Sequence, residues 1–415
     1  MLKSLPTCLL LLISVACLST LSAQVSVGSS GQRPAERKVW CGNGPVNADL
    51  YAVRQCGPVD NRINLVFIGD GYRAVELPFW AAHVDQMVER LFSDESPPYE
   101  RYKNFINVYR VDLVSNESGI DDPGAGIYVD TALDGCNCCI DYTIGQCQVD
   151  WAKTHAAINS ATPGIPVHWR YVGLNTSIFL GGAHYPPQGN LAVYPTNNSY
   201  RFNILTHEGG HAFHWLGDEY VNPGHGNDWY TGGEPSWTNL TIDPSGSKWA
   251  PWIGFSQPNL GGPVAAYEGG MVQYGRGIWR PSPQSRMNGF VNRLDAVGKE
   301  RAIHSIYEVV EPIDEFAPDN SNTLSGHEEL FLQVVDPQVI KVRWLLDGQP
   351  IKTGEGTLDL DALNLSFGFH VVQATARDEV LDHAFSDNTN PHPLDLVRRN
   401  TDRLTQTITW TVFAQ

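Results

Sequence analysis

Thr206-His207-Glu208-Gly209-Gly210-His211-Ala212-Phe213-His214 is the stretch on which the reading of this sequence turns. Positions four apart share one face of a helix at 3.6 residues per turn, so His207 and His211 can offer two imidazoles to a single ion. Glu208 then lies beside that ion, where a carboxylate can hold and deprotonate a water. Phe202, Ile204 and Leu205 make the preceding turn apolar, which suits a half-buried helix beneath a cleft. Gly209 and Gly210 each cost about 1 kcal/mol against alanine in a helix interior. A purely structural helix would not favour them, and close approach of another backbone or of substrate would explain them.

A catalytic zinc keeps one position open for water and takes three protein ligands. Leu216-Gly217 reads as the helix stop, with the glycine in the left-handed conformation. Asp218-Glu219-Tyr220 follows at once, so Asp218 is the expected third ligand and Glu219 the second choice. His214 and His225 are weaker candidates, because one helical face supplies two ligands more easily than three. His214 reads instead as a residue that supports the site.

The flanking sequence reads as an α/β (α+β) layered domain. Asn64–Ile68 is a buried-strand run followed by a Gly69-Asp70-Gly71 turn, and 77–92 carries Phe79, Val84, Met87, Val88 and Leu91 at helical spacing. Strands are expected over 105–114, 167–172 and 177–180, with a helix over 151–158 and mostly loop over 221–286. Strand 177–180 with Gly181 and Gly182 is the candidate edge on which a peptide substrate could be added as a strand. Tyr267, Tyr274 and His184 are candidates to stabilise the oxyanion. Asp121, Asp122 and Asp130 read as a solvated acidic loop in preference to a calcium site.

After Pro312 the character changes. Short alternating runs at 330–335, 341–346, 356–360, 368–376 and 405–413 predict an immunoglobulin-like β-sandwich over 313–415. It is read either as an accessory domain contacting glycan or protein, or as a packing cap. The remaining organisation is a signal peptide over 1–23, an extended Gly/Pro-rich arm over 24–62, and a catalytic domain over 63–312.

Met1–Lys3, the apolar run Cys8–Leu18 and the small residue Ala23 make the beginning of the chain a secretory signal, too short to span a bilayer. No later run of the sequence approaches the ~20 apolar residues a spanning helix needs. The net charge of −17 across 415 residues sets aside nucleic acid and anionic lipid as partners. Outside the signal lie six cysteines, at 41, 56, 136, 138, 139 and 147, and export argues for disulfides over a metal knot. Cys41–Cys56 is the natural local pair.

The run His207-Glu-Gly-Gly-His211-x-Phe213-x-x-Leu216-x-Asp218-Glu219-Tyr220 resembles the signature of the IgA-specific metalloendopeptidase family. Asn64–Tyr72, Phe105–Val111, Ser115–Gly119, Tyr267–Gly270 and Trp279–Met287 resemble the same family, in the same order, across roughly 63–312. The resemblance implies a metzincin-like peptidase fold, one catalytic zinc, and a methionine turn beneath the metal at Met287. His214 and Trp215 stand where the family carries small residues, and the glycine at 217 falls one place late. Two rival readings share the motif: a secreted zinc-binding protein without catalysis, and a zinc hydrolase of a non-peptide amide. Glu208 argues against the first, since a structural site needs no base.

Overall fold

The computed structural model describes residues 37–137, 148–184, 189–289, 291, 293–382, 396–399 and 401–415. Its first half is built on a seven-stranded sheet. The strands are β1 (Gly42–Pro45), β2 (Leu50–Gln55), β3 (Ile63–Asp70), β4 (Ile106–Val111), β5 (Trp169–Leu174), β6 (Gly182–His184) and β7 (Leu191–Pro195), in the order β1-β2-β4-β3-β5-β7-β6. The central pairs β4–β3, β3–β5 and β5–β7 are parallel, whereas β6 runs antiparallel to β7 at one edge. Helices α1 (Leu77–Leu91) and α3 (Arg201–His214) cover one face and α2 (Trp151–Ala161) the other, a three-layer α/β arrangement.

Both faces of β3 are covered, so its eight residues are all buried and read as one apolar run. The strand continues through Asp70, and the turn comes only at Gly71, whose φ of 76° a side chain would disfavour. In α1 the core face is Trp80, Val84, Met87, Val88 and Leu91, while Phe79 is exposed. Trp80 occupies the space that side chains at Gly69 and Gly173 would fill, and its indole donates to the Val111 carbonyl at 3.0 Å.

Three expectations change here. The arm is not free: Leu50–Gln55 pairs antiparallel with β4, and Leu50 and Ala52 are buried. Its short i, i+2 alternation is hidden among Gly, Pro and Asn. Cys41–Cys56 bridges the two ends of this segment as expected. Residues 177–180 are not a strand; the edge strand is Gly182–His184, because Ile178 and Leu180 turn into the α2 side of the core. Within the expected loop, β8 (Tyr267–Gly270) and β9 (Tyr274–Arg280) form an antiparallel hairpin. Cys138, Cys139 and Cys147 lie outside the described residues.

Helix α4 (Ala296–Tyr307), capped by the Asp295 side chain on the Gly298 amide, leads into eight further strands. They are β10 (Ile313–Ala317), β11 (Leu324–Ser325), β12 (Glu329–Val334), β13 (Ile340–Leu346), β14 (Gln349–Thr353), β15 (Gly356–Asp359), β16 (Gly368–Asp378) and β17 (Thr405–Ala414). They form a three-stranded sheet β10-β12-β15 and a five-stranded sheet β11-β17-β16-β13-β14. Leu330, Leu332 and Val334 of the first share a core with Trp344, Val372 and Trp410 of the second. Trp344 and Trp410 stack at 5.8 Å, and Phe316 meets Trp410 edge-on.

That core runs on into the N-terminal half, and polar side chains lock the junction. Arg62 and Asp314 form a buried two-toothed pair at 2.6 and 2.7 Å. Tyr102 and Tyr307 both donate to Asp378 Oδ2, at 2.7 and 2.6 Å, and Arg101 donates to Oδ1 at 3.0 Å.

Candidate metal centre

Helix α3 ends two residues earlier than glycine placement suggests. Trp215, not Gly217, takes the left-handed conformation, with φ 52° and ψ 47°. Gly217 is required for a different reason: Leu240 and Trp237 occupy the space of any side chain there. The αL turn throws the chain back, and the Leu216 amide donates to the Gly210 carbonyl at 3.1 Å. Asp218 is thereby returned to the helix face that carries His207 and His211.

Three ligand atoms converge. His207 Nε2 lies 3.0 Å from Asp218 Oδ1, His211 Nε2 lies 3.1 Å from the same oxygen, and the two Nε2 atoms are 3.1 Å apart. Tetrahedral donors held at the ~2.0–2.1 Å typical of zinc stand roughly 3.3 Å apart, so the triangle fits that ion. The tautomers make the same point. His207 Nδ1 faces the Arg286 carbonyl at 2.9 Å and His211 Nδ1 faces the Leu216 carbonyl at 2.6 Å. A carbonyl only accepts, so each Nδ1 must donate and each neutral ring turns a lone pair inward. Two lone pairs and a carboxylate facing one another need a cation between them. Burial pulls the His211 imidazole down, but the Asp218 carboxylate more than offsets it and lifts it to about 9. Burial pushes the Asp218 carboxyl up, yet the two imidazoles outweigh it and hold the group well below the usual range.

Glu208 is half-buried beside this triangle. Burial pushes its carboxyl up from the ordinary value, opposed by the pull of His207 and His211. Glu219, the alternative ligand, is excluded by its bonds: Asn239 donates to Oε1 at 2.8 Å and Ser285 to Oε2 at 2.6 Å. It is 1 % exposed and braces the loop beneath the site. Ser285 also accepts from the Met287 amide, and the Glu219 amide donates to the Met287 carbonyl.

Met287 is buried under α3, and the two helical glycines find their explanation in side chains. A Cβ at Gly210 would stand 2.6 Å from Met287 Sδ, and one at Gly209 would collide with the Tyr171 hydroxyl. Neither substrate nor another backbone is needed. His214 is fully buried against Tyr99, Trp169 and Phe213, with Nε2 on the Tyr99 hydroxyl, away from the ligand triangle. His225 pairs with Asp228 at 2.7 Å on the surface.

The other candidates divide. Gly181 is against the site: a Cβ there would lie 2.5 Å from Glu208 Oε1 and 2.7 Å from Ile204 Cγ2. Gly182 begins β6. His184 is not at the centre; it faces the opposite side of the sheet, with its ring 4.1 Å from that of Trp151 in α2. Strand alternation explains this, since Ala183 is the residue that faces α3. Tyr267 donates to the Pro263 carbonyl, and Tyr274 packs edge-on against Tyr230; no contact of either with the ligand triangle is present among the described residues. The phenol beside the imidazoles belongs to Tyr220, whose ring centroid is 6.2 Å from that of His207. Sequence reasoning also missed Gln148, which is buried and donates to the Gly181 carbonyl at 2.8 Å. A lone glutamine after a cysteine-rich run carries no signal of that role. The acidic loop is hydrogen-bonded throughout: Asp121 accepts from the Val129 amide, Asp122 from Asn137 and Asp130 from Asn116.

No curated protein matches the chain. Among solved structures, fibronectin(III)-like modules of Clostridium thermocellum CbhA are 15 % identical over 24 % of this chain and 45 % of that chain, with a TM-score of 0.15. The match spans less than half of that chain and is too slight to bear on the fold. A model of the IgA Peptidase M64 family matches residues 51–259, from β2 through α3 to the loop before β8. This chain belongs to the IgA peptidase M64 family of metallopeptidases.

Proposed function

We propose that the protein is a secreted zinc endopeptidase. The observation that carries the reading is the convergence of His207 Nε2, His211 Nε2 and Asp218 Oδ1 beside the carboxylate of Glu208. A zinc ion held there supplies Lewis acidity to the scissile carbonyl and to an attacking water. Glu208 accepts the water's proton and returns it to the leaving amine as the peptide bond breaks. Burial raises its carboxyl from the ordinary value, the direction that makes it a stronger base. Met287 and Glu219 set the floor of the site and the position of Asp218, while Arg286 and Leu216 fix the tautomers through their carbonyls.

The substrate is a protein or peptide, bound as an added strand on β6, the edge strand of the sheet among the described residues. Antiparallel pairing with β6 is the more stable mode. Export rests on residues 1–23, a signal peptide by composition that lies outside the described residues, and on the Cys41–Cys56 bridge. No helix among the described residues is long and apolar enough to cross a membrane. Residues 63–312, joined by the strands of 42–55, form the catalytic part. We read 313–415 as an immunoglobulin-like domain whose buried junction makes it a structural cap first, with any glycan or protein contact secondary.

Elemental analysis and a peptide-library digest test this together. One zinc per chain is expected, with cleavage abolished by a chelator and restored by zinc. A folded protein that binds no transition metal, or holds zinc yet cleaves no peptide, would overturn the reading.

A further inference from the structure

An exposed aromatic pair stands at one end of the segment that touches Glu208. Phe179 is 59 % exposed and Tyr200 48 % exposed, and their rings meet edge-on at 6.4 Å. Two large, partly exposed rings side by side offer a wider apolar surface than a single exposed ring does. Their neighbours in sequence are inward-facing: Ile178 and Leu180 pack into the core on the α2 side, so Phe179 points away from it.

The placement of the pair follows from helix geometry. Tyr200, Ile204 and Glu208 are spaced four apart, and the Ile204 amide donates to the Tyr200 carbonyl at 3.0 Å, so the three share one face of α3. Residues 179–181 run along that same face in the same direction as the helix. Phe179 meets Tyr200 at one end, and Gly181 lies against Ile204 and Glu208 at the other. Gln148 holds the Gly181 carbonyl, which keeps this segment on the helix and turns that carbonyl away from substrate. The next residues are β6, at the edge of the sheet.

We infer that Phe179 and Tyr200 form a specificity subsite for a bulky apolar side chain of the substrate, on the C-terminal side of the scissile bond. The inference rests on the peptidase reading above. A substrate antiparallel to β6 passes its N-terminal half along β6 and its C-terminal half over Gly181 towards Phe179. Eight residues of helix separate Tyr200 from Glu208, about 12 Å at 1.5 Å per residue. An extended peptide covers that distance in about three or four residues at ~3.3 Å each. The third or fourth residue after the cleaved bond therefore meets the rings.

The test is cleavage by the zinc-loaded full chain of a peptide series varied only at those two positions. Wild type is expected to prefer Phe or Leu over Gly or Asp there by about 10-fold in kcat/KM, the discrimination an apolar contact gives. The double variant Phe179→Ser, Tyr200→Ser should bring that ratio close to one, and Phe179→Leu should retain most of it. Melting temperatures should match wild type, since both rings are exposed. An equal rate for all residues at those positions in wild type, a preference confined to the N-terminal side, or an undiminished ratio in the double variant would overturn the subsite alone. No cleavage of any peptide by zinc-loaded wild type would overturn the peptidase reading and the subsite with it.

Discussion

Gly210 and Met287 are fitted to each other: the methionine sulfur lies where the glycine's Cβ would be, 2.6 Å from it. The helix that carries both imidazoles thus rests directly on the turn whose preceding carbonyl, at Arg286, orients His207. Helix propensity is given up at 209 and 210 so that Tyr171 and Met287 can approach.

Gly210→Ala should therefore destabilise the protein by roughly 1–3 kcal/mol, the range for overpacking, despite alanine's better helix propensity. Met287→Ala alone should cost about 2–5 kcal/mol through the cavity it leaves. The double variant should cost clearly less than the sum, which urea titration of all three proteins reads directly. Strict additivity would mean the two residues do not share the space.

The two carboxylates after the helix should separate cleanly. Asp218→Asn should weaken zinc binding and activity together, because it removes ligand charge. Glu219→Gln should keep zinc close to wild-type affinity, while Glu219→Ala should lose about 1–3 kcal/mol of stability by leaving Asn239 and Ser285 without their acceptor. Isothermal titration with zinc and a denaturant curve distinguish them. Loss of zinc binding in Glu219→Gln with retention in Asp218→Asn would reverse the assignment.

Arg62 and Asp314 join the two halves as a buried pair, so removing one partner strands a charge. Asp314→Ala should cost about 3–5 kcal/mol, and a chain ending at 312 should fail to fold. A stable, cooperative truncated protein would show that the C-terminal sheets are dispensable.

Acid should weaken the fold through buried histidines. Burial, aided by the Arg201 charge, lowers His83 to about 4, and burial, aided by Arg301, lowers His214 to about 3. Both lie below the ~6.5 of an unfolded histidine, so the unfolded chain binds more protons between these values. Stability should fall as pH drops from about 6.5 towards 4, by up to ~1.4 kcal/mol per pH unit per histidine. His83→Gln should flatten its share of that slope. A slope identical to wild type between pH 7 and 4.5 would exclude His83 as a contributor.

Much of this was legible in the sequence, and the reasons differ by element. His207, Glu208 and His211 could be read because helical spacing alone places them. Asp218 could be read because a carboxylate just past a helix stop has little else to reach. The residue that makes the turn was misjudged, since Gly217 is claimed by the tertiary packing of Leu240 and Trp237, while Trp215 takes the left-handed conformation. His184, Tyr267 and Tyr274 were misplaced because sequence does not say which side of a sheet an edge residue faces, nor where a hairpin directs its side chains. Gln148 and Tyr171 act through contacts more than twenty residues away in sequence, for which no local pattern exists. The strands of 313–415 were readable from alternation, while their junction with the peptidase half is built from single polar residues scattered over both.

Glu208→Gln tests the central claim most directly. Glutamine is nearly isosteric and the proposed ligands are His207, His211 and Asp218, so the variant should fold and hold one zinc per chain with near wild-type affinity. It cannot take the water's proton, so kcat on a peptide substrate should fall by ~10²–10⁴-fold or more. Zinc content equal to wild type with that loss is the predicted result; zinc-loaded Glu208→Gln cleaving at the wild-type rate would contradict the account.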